Sequence, residues 1–193
     1  MVEASVESLA IADVKVLTPR KFSDHRGYFC ETYSTATLPN LGFVQDNVSM
    51  SAQAGTVRGL HFQEPPFAQA KLVTVLRGAI FDVAVDIRKN SPTFGHWVGV
   101  ELTGETLKQL LVPAGFAHGF CTLVPDTLVF YKVDAHYAPA HDRGLRWNDP
   151  AIGIPWPIAA EKAVVSDKDR QQPLLAELKT PFTFAGARTS TPS

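Results

Sequence analysis

Residues 72 to 88, LVTVLRGAIFDVAVDIR, break at Arg77-Gly78 into two apolar runs, each too short for a helix of ordinary length. In the second run Phe81, Val83, Val85 and Ile87 alternate with Asp82, Ala84, Asp86 and Arg88, the period of two that a strand imposes on its two faces. The glycine at the break predicts a tight turn, so the segment reads as a strand pair. The pattern recurs in HWVGVEL at 96 to 102, KQLLVP at 108 to 113, GFCTLV at 119 to 124 and TLVFYKV at 127 to 133, separated by Gly, Pro, Asn, Asp or Ser. Short strands at such spacing imply an all-β sandwich or barrel.

Helical signals are few. TATLPNLG at 35 to 42 has room for one turn, and SDKDRQQPLLAELK predicts a short helix from about Pro173, with Leu174, Leu175 and Leu178 on one side. The last residues, ARTSTPS, read as disordered, which leaves one domain over 1–185 and a tail over 186–193. A chain of 193 residues suits one well-buried core and is short for two. The edge strands of a small β domain need covering, which points to a homodimer.

Charge and composition narrow the partners. With 45% hydrophobic residues, 19% charged residues and a formal net charge of -1, the chain carries no electrostatic footprint for nucleic acid or an anionic membrane. MVEASVESLAIADVK has acids early and no long apolar run, so neither a secretory signal nor a membrane span is expected, and a cytoplasmic address follows. Cys30 and Cys121 stand apart without metal spacing and read as small core residues in a reducing compartment.

RGLHFQ at 58 to 63 is the densest chemical motif. On a strand, Leu60 and Phe62 face one way and His61 the other, which aims an imidazole into a barrel or cleft. Imidazole can take and return a proton near neutral pH, although a histidine among apolar neighbours is by itself an ordinary hydrogen-bonded core residue. Lys71 follows at the head of the next apolar run. A second histidine, His118, lies in PAGFAHGF at 113 to 120, a P-x-G-x-x-H element like that of cupin barrels. Metal-binding cupins pair H-x-H with a carboxylate, whereas here Phe62 and Gln63 follow His61, and Lys71 stands where a ligand glutamate would precede Gly78. An ammonium has no lone pair and repels a divalent cation, so the site reads as one for an anion or a carbonyl oxygen, with no metal.

An ordered series of segments carries a closer resemblance: FSDHRGYFCETY at 22 to 33, FVQDN at 43 to 47, RGLHFQ, QAKLV at 69 to 73, DVAVDIRKNSPTFG at 82 to 95, VPAGFAHGF, LVFYKV, YAPAHDRGLRWNDP at 137 to 150 and SDKD at 166 to 169. Over about residues 10 to 178 the chain resembles the dTDP-4-dehydrorhamnose 3,5-epimerase family. The resemblance implies a jelly-roll cupin barrel in a strand-exchanged homodimer whose active sites are completed by the partner. It implies a cofactor-independent isomerase acting on dTDP-4-dehydro-6-deoxy-D-glucose.

The roles it implies are these. His61 is the base, Asp169 the carboxylate that orients it, Tyr131 the proton donor on the opposite face, and Lys71 the cation at the carbon 4 oxyanion. Arg26 and Arg58 grip the diphosphate, Phe22, Glu31, Gln45 and Asn47 surround the nucleotide, His118 holds sugar hydroxyls or the enolate region, and Tyr137 is an aromatic shelf. Local sequence alone reads several of them otherwise: Asp169 as a solvated residue at a helix entry, Tyr131 and Phe22 as core, and Lys71 as a strand-end lysine reaching for water. Three other readings stand beside this one, namely an epimerase of carbon 3 only, a non-catalytic sugar-nucleotide-binding cupin, and a metal cupin. His25 and His141-Asp142 depart from common family usage and bear on sugar preference.

Overall fold

A computed structural model of the chain describes residues 4–186. The strands in chain order are β1 Ser5–Ser8, β2 Lys15–Thr18, β3 Lys21–Asp24, β4 Gly27–Cys30, β5 Gln45–Ser51, β6 Val57–Gln63, β7 Lys71–Arg77, β8 Ala79–Asp86, β9 Trp97–Thr103, β10 Gln109–Val112, β11 Phe116–Thr122, β12 Thr127–Val133 and β13 Asp142–Gly144. One sheet has the order β1-β2-β10-β7-β12-β5, a second β13-β6-β11-β8-β9, and β3 and β4 form a separate two-stranded sheet. All the strand pairings are antiparallel. The architecture is the expected all-β cupin-type barrel.

Two layers of core explain why the second sheet is so apolar. Val16, Val73, Val75, Leu110 and Val129 of the first sheet meet Ile80, Ala84, Val98, Leu102 and Phe120 of the second in one buried cluster. The opposite face of the second sheet, with Leu60, Phe62, Val83, Val85 and Ala117, is covered by Trp156, Leu175, Leu178 and Phe182 from the C-terminal region. Every residue of β11 is therefore buried, and the strand has no polar face to show in its pattern. On β8, Asp82 and Asp86 point between the sheets with Ile80 and Ala84, so two carboxylates enter the molecule where an amphipathic strand would turn them to water.

The helix expected from Pro173 is absent. A four-residue helix, α1, occupies Asp167–Arg170, and only a 3-10 turn forms at Leu175–Glu177. Proline ends a helix before it, and beyond Pro173 tertiary bonds take the backbone: Leu175 N–H donates to Asp149 Oδ2 at 2.6 Å and Arg146 N–H to the Pro173 carbonyl at 2.8 Å. Leu175 and Leu178 still pack inward, as parts of a strap. The strand placed over 119 to 124 runs instead over Phe116–Thr122. TATLPNLG holds a turn in which Leu38 N–H donates to the Ser34 carbonyl. Cys121 is buried as expected, but Cys30 is half-exposed, because β3 and β4 form a hairpin standing away from the core. Of the tail placed over 186–193, residues 187–193 lie outside those described.

Candidate active site

The site begins where β6 crosses β11. His61 and His118 are direct cross-strand partners, and a bulge follows between His118 and Phe120. Gly59 makes the close approach possible: its φ is +134°, and a Cβ there would stand 2.5 Å from the Gly119 Cα. The strand period then works as the motif predicts. Leu60 and Phe62 join the outer core layer, while His61 turns into a cleft of about 500 Å³ with its side chain 30% exposed.

Asp169 meets it from the far end of the chain. Ser166 caps α1 by accepting from the Asp169 N–H at 3.1 Å, and of the residues in this helix Asp169 alone is buried. Its Oδ1 accepts from His61 Nε2 at 2.6 Å, and Oδ2 accepts from the Gly59 N–H at 3.4 Å. Burial alone would raise the Asp169 pKa, but the hydrogen bond and charge of His61 hold it below the usual carboxylate value. The pair is therefore acceptor and donor in fixed roles. With Nε2 donating to a carboxylate, the neutral ring keeps Nδ1 as its basic nitrogen.

Lys71 and Tyr131 line the same cleft and its narrower neighbour of about 290 Å³. Lys71 shares the inward face of β7 with Val73 and Val75, and its Nζ donates to the His61 carbonyl at 3.4 Å, a long contact. Desolvation brings the ammonium down to about 8, while Asp142 and Asp82 pull the other way. Tyr131 sits beside Val129 and Val133 on β12, and burial raises its pKa above the ordinary phenol value, partly opposed by Arg58. His118 Nε2 donates to Asp82 Oδ1 at 2.7 Å. Burial lowers the His118 pKa against the attraction of Asp82, and Asp82 Oδ2 is buried without a hydrogen-bond partner among the described residues.

The remaining expected residues divide by location. Arg58, Gln45, Asn47 and Tyr137 reach one cleft or the other. Arg26 and Phe22 lie on the β3–β4 hairpin, where Arg26 pairs with Asp24 at 2.6 Å and is 78% exposed. Glu31 borders a separate small hollow with Leu17 and Tyr33. A single chain therefore does not gather these three with His61. Lys168, to which sequence reasoning assigned no role, and Asp142, noted there only as a departure bearing on sugar preference, form an ion pair in the narrower cleft, and Tyr137 Oη donates to the same Asp142 oxygen at 3.2 Å. The SDKD and YAPAHD segments held both residues, but nothing local joined them.

The strand β5 shows what the cleft requires. Gln45, Asn47 and Ser49 are half-buried and line the clefts, while Val48 and Met50 are 62% and 49% exposed. The polar side faces in and the apolar side out, the reverse of an ordinary surface strand. Among the described residues, no three His, Cys, Asp or Glu side chains gather into a group that could hold a metal ion. The arrangement offers a carboxylate-oriented base, a desolvated ammonium and a neutral phenol around one cavity, the parts needed to move a proton next to a carbonyl.

Comparison with known proteins gives the family. The family model for dTDP-4-dehydrorhamnose 3,5-epimerase matches residues 8–177. The dTDP-4-dehydrorhamnose 3,5-epimerase of Sinorhizobium fredii is 56% identical over 186 residues, covering 94% of this chain and 95% of that protein. The crystal structure of such an epimerase from Bacillus anthracis with TDP and PPi bound superposes with a TM-score of 0.85 at 54% identity, over 89% of this chain and 99% of that one. A dTDP-6-deoxy-D-glucose-3,5-epimerase from Legionella pneumophila in complex with dTDP-4-keto-L-rhamnose gives a TM-score of 0.86 at 41% identity, over 91% and 95% of the two chains.

Proposed function

Because the chain belongs to the dTDP-4-dehydrorhamnose 3,5-epimerase family, we propose that His61, Asp169, Lys71 and Tyr131 together perform the reaction of that family in the cleft described above. The chain is an isomerase that epimerises carbons 3 and 5 of dTDP-4-dehydro-6-deoxy-D-glucose to give dTDP-4-dehydro-β-L-rhamnose. The observation that carries the assignment of roles is the 2.6 Å contact between His61 Nε2 and Asp169 Oδ1 in a cleft shared with Lys71 and Tyr131.

The substrate ketone at carbon 4 acidifies the hydrogens on carbons 3 and 5, because the electron pair left behind spreads onto oxygen. His61 takes the proton, and Asp169 stabilises the imidazolium that forms. Lys71 balances the charge arriving on the carbon 4 oxygen. Tyr131, kept neutral by burial, returns a proton from the other side of the sugar ring. The imidazolium then releases its proton and the phenolate regains one, so each inversion ends with both side chains as they began. The substrate is its own electron sink, and neither metal nor redox cofactor enters this scheme. Arg58 serves the diphosphate, Gln45 and Asn47 the nucleotide, His118 the sugar, and Tyr137 stacks against the base or sugar.

The nucleotide grip is completed across a homodimer. Tyr28 and Phe29 on the β3–β4 hairpin are 53% and 70% exposed, and β5 leaves an open edge with Val48 and Met50 outward. These surfaces suit a second copy of the chain, and hairpin exchange would bring Arg26, Phe22 and Glu31 to the partner's cleft. The unpaired cysteines support a reducing cytoplasm. The test of the activity is proton NMR of dTDP-4-dehydro-6-deoxy-D-glucose in deuterated water, without added metal. Loss of the signals at both carbon 3 and carbon 5 is expected; loss at carbon 3 alone would make the enzyme a mono-epimerase, and no exchange would leave a binding protein.

A further inference from the structure

Between the end of β12 and the 3-10 turn at Pro139–His141, residues 134 to 138 have neither sheet nor helix to hold them, yet they carry Tyr137 to the narrower cleft. Their backbone is tied by three glutamines from separate parts of the fold. Gln69 Nε2 donates to the Ala135 carbonyl at 2.7 Å, and Gln63 Nε2 donates to the His136 carbonyl at 3.1 Å. Gln45 Oε1 accepts from the Tyr137 N–H at 2.9 Å, and Gln63 Oε1 accepts from the Ala138 N–H at 2.7 Å. Four successive residues are thus each held by a side-chain amide standing in for a sheet partner.

Gln63 is the hub. It is 3% exposed, and its amide also donates to the Phe67 carbonyl at 2.7 Å, so both of its N–H groups and its oxygen are engaged. All these bonds go to backbone groups, and Gln63 itself borders the narrower cleft. Tyr137, by contrast, is 54% exposed, and its hydroxyl contact with Asp142 is long at 3.2 Å. The ring has little packing of its own, so its position is set by the backbone beneath it.

We propose that Gln63, supported by Gln69, is a positioning residue for nucleotide recognition: it holds residues 135 to 138 so that the Tyr137 ring is already placed when the base or sugar of the substrate arrives. This rests on the reading of Tyr137 as the stacking shelf. Ordering the segment before binding removes an entropy cost from association, and the effect therefore falls on affinity and KM more than on turnover at saturation.

The experiment measures dTDP binding by calorimetry, and KM and kcat, for Gln63→Glu, Gln69→Leu, Tyr137→Ala and the Gln63→Glu/Tyr137→Ala pair, with thermal melting of each. Gln63→Glu keeps the shape but sets a carboxylate against two carbonyl oxygens. We expect it to weaken dTDP binding about tenfold or more, with a parallel rise in KM and a much smaller fall in kcat. Gln69→Leu shifts the same quantities less, and in the Tyr137→Ala background Gln63→Glu adds little. Unchanged dTDP binding in Gln63→Glu, or an equal effect with and without Tyr137, overturns the proposal. If Gln63→Glu does not fold, Gln69→Leu crossed with Tyr137→Ala decides by the same criterion. A wild-type protein that neither binds dTDP nor exchanges substrate protons overturns the functional reading itself, a result separate from unchanged binding by the variants beside a working wild type.

Discussion

Asp86 and Asp169 are both buried aspartates bonded to a nitrogen base, and they do opposite things. Asp86, at the end of β8, accepts from Arg88 Nε at 2.9 Å and Nη2 at 2.7 Å, from Ser91 Oγ at 2.6 Å and from Thr93 Oγ1 at 2.7 Å. Its cation is permanent, and Arg88 is itself held by Asp13 at 2.9 Å and by the Phe116 ring. Asp169 accepts from a titratable ring that opens onto the cleft. Burial satisfied on every side makes a joint; burial against a ring that faces an open cleft suits the proton transfer proposed for His61.

The largest effect that could break this contrast concerns turnover. His61→Ala should lower kcat by about 10² to 10⁴, the usual worth of a general base, with a smaller loss of stability than Asp86→Asn, because Asp169 lines a cleft that water can enter in place of the ring. Steady-state turnover measured beside urea unfolding checks both halves. Turnover at the parental rate in His61→Ala would remove His61 as the base, and a collapse of stability would make the His61–Asp169 pair another joint.

Lys71 sharpens the same division. Lys71→Met should cost about 10² to 10³ in kcat, the range for losing an oxyanion stabiliser. The working form is the ammonium, and burial puts its pKa at about 8, so activity is expected to hold below that pH and decline as pH rises through it. A rate profile of parent and variant checks this: the residual activity of Lys71→Met should lack that alkaline decline.

These two regions also differ in how far the sequence discloses them. The period of two in β8 and β12 identified strands, and the Leu60-His61-Phe62 alternation predicted that His61 faces a cleft. The resemblance supplied Asp169, whose burial no local pattern indicated, because Ser166 and α1 turn one carboxylate of a charged segment inward. Asp82 read as the polar face of β8; its partner is on β11, where Phe120 pairs with Asp82 and His118 lies two residues earlier. β5 alternates over Asn47-Val48-Ser49-Met50-Ser51, but with its polar residues facing the cleft and its apolar residues facing out, so its pattern points to the wrong side as the interior. Contacts made through the sheet order, as in the glutamine clamp on residues 135 to 138, leave no period in the sequence.

Asp86→Asn is the reciprocal test and should act on stability. An amide cannot match the charge of Arg88, which is left with the more exposed Asp13 as its counter-charge, and breaking a buried pair in this way costs about 3 kcal/mol. Urea unfolding at neutral pH should register that loss, with kcat nearly unchanged where the variant is folded. A fall in kcat of the size expected for His61→Ala would place Asp86 within the catalytic machinery and end the contrast.

The smallest effect is the pH dependence of that same difference. Burial tends to raise the Asp86 pKa, but Arg88, Ser91 and Thr93 bring it down from 3.8 to about 2. A carboxylate whose folded value lies below its unfolded value stabilises the fold above the unfolded value, and that contribution is lost as pH falls toward the folded one. The window is therefore about pH 4 to 2, and its full size is about 2 kcal/mol. Asp86→Asn has no proton to gain, so parent and variant should converge by roughly that amount in urea unfolding followed through this window. A constant gap down to pH 2 would mean that Asp86 acts through shape and hydrogen bonds alone. Convergence would show a fixed charge at the joint, where the Asp169 site instead needs one that moves.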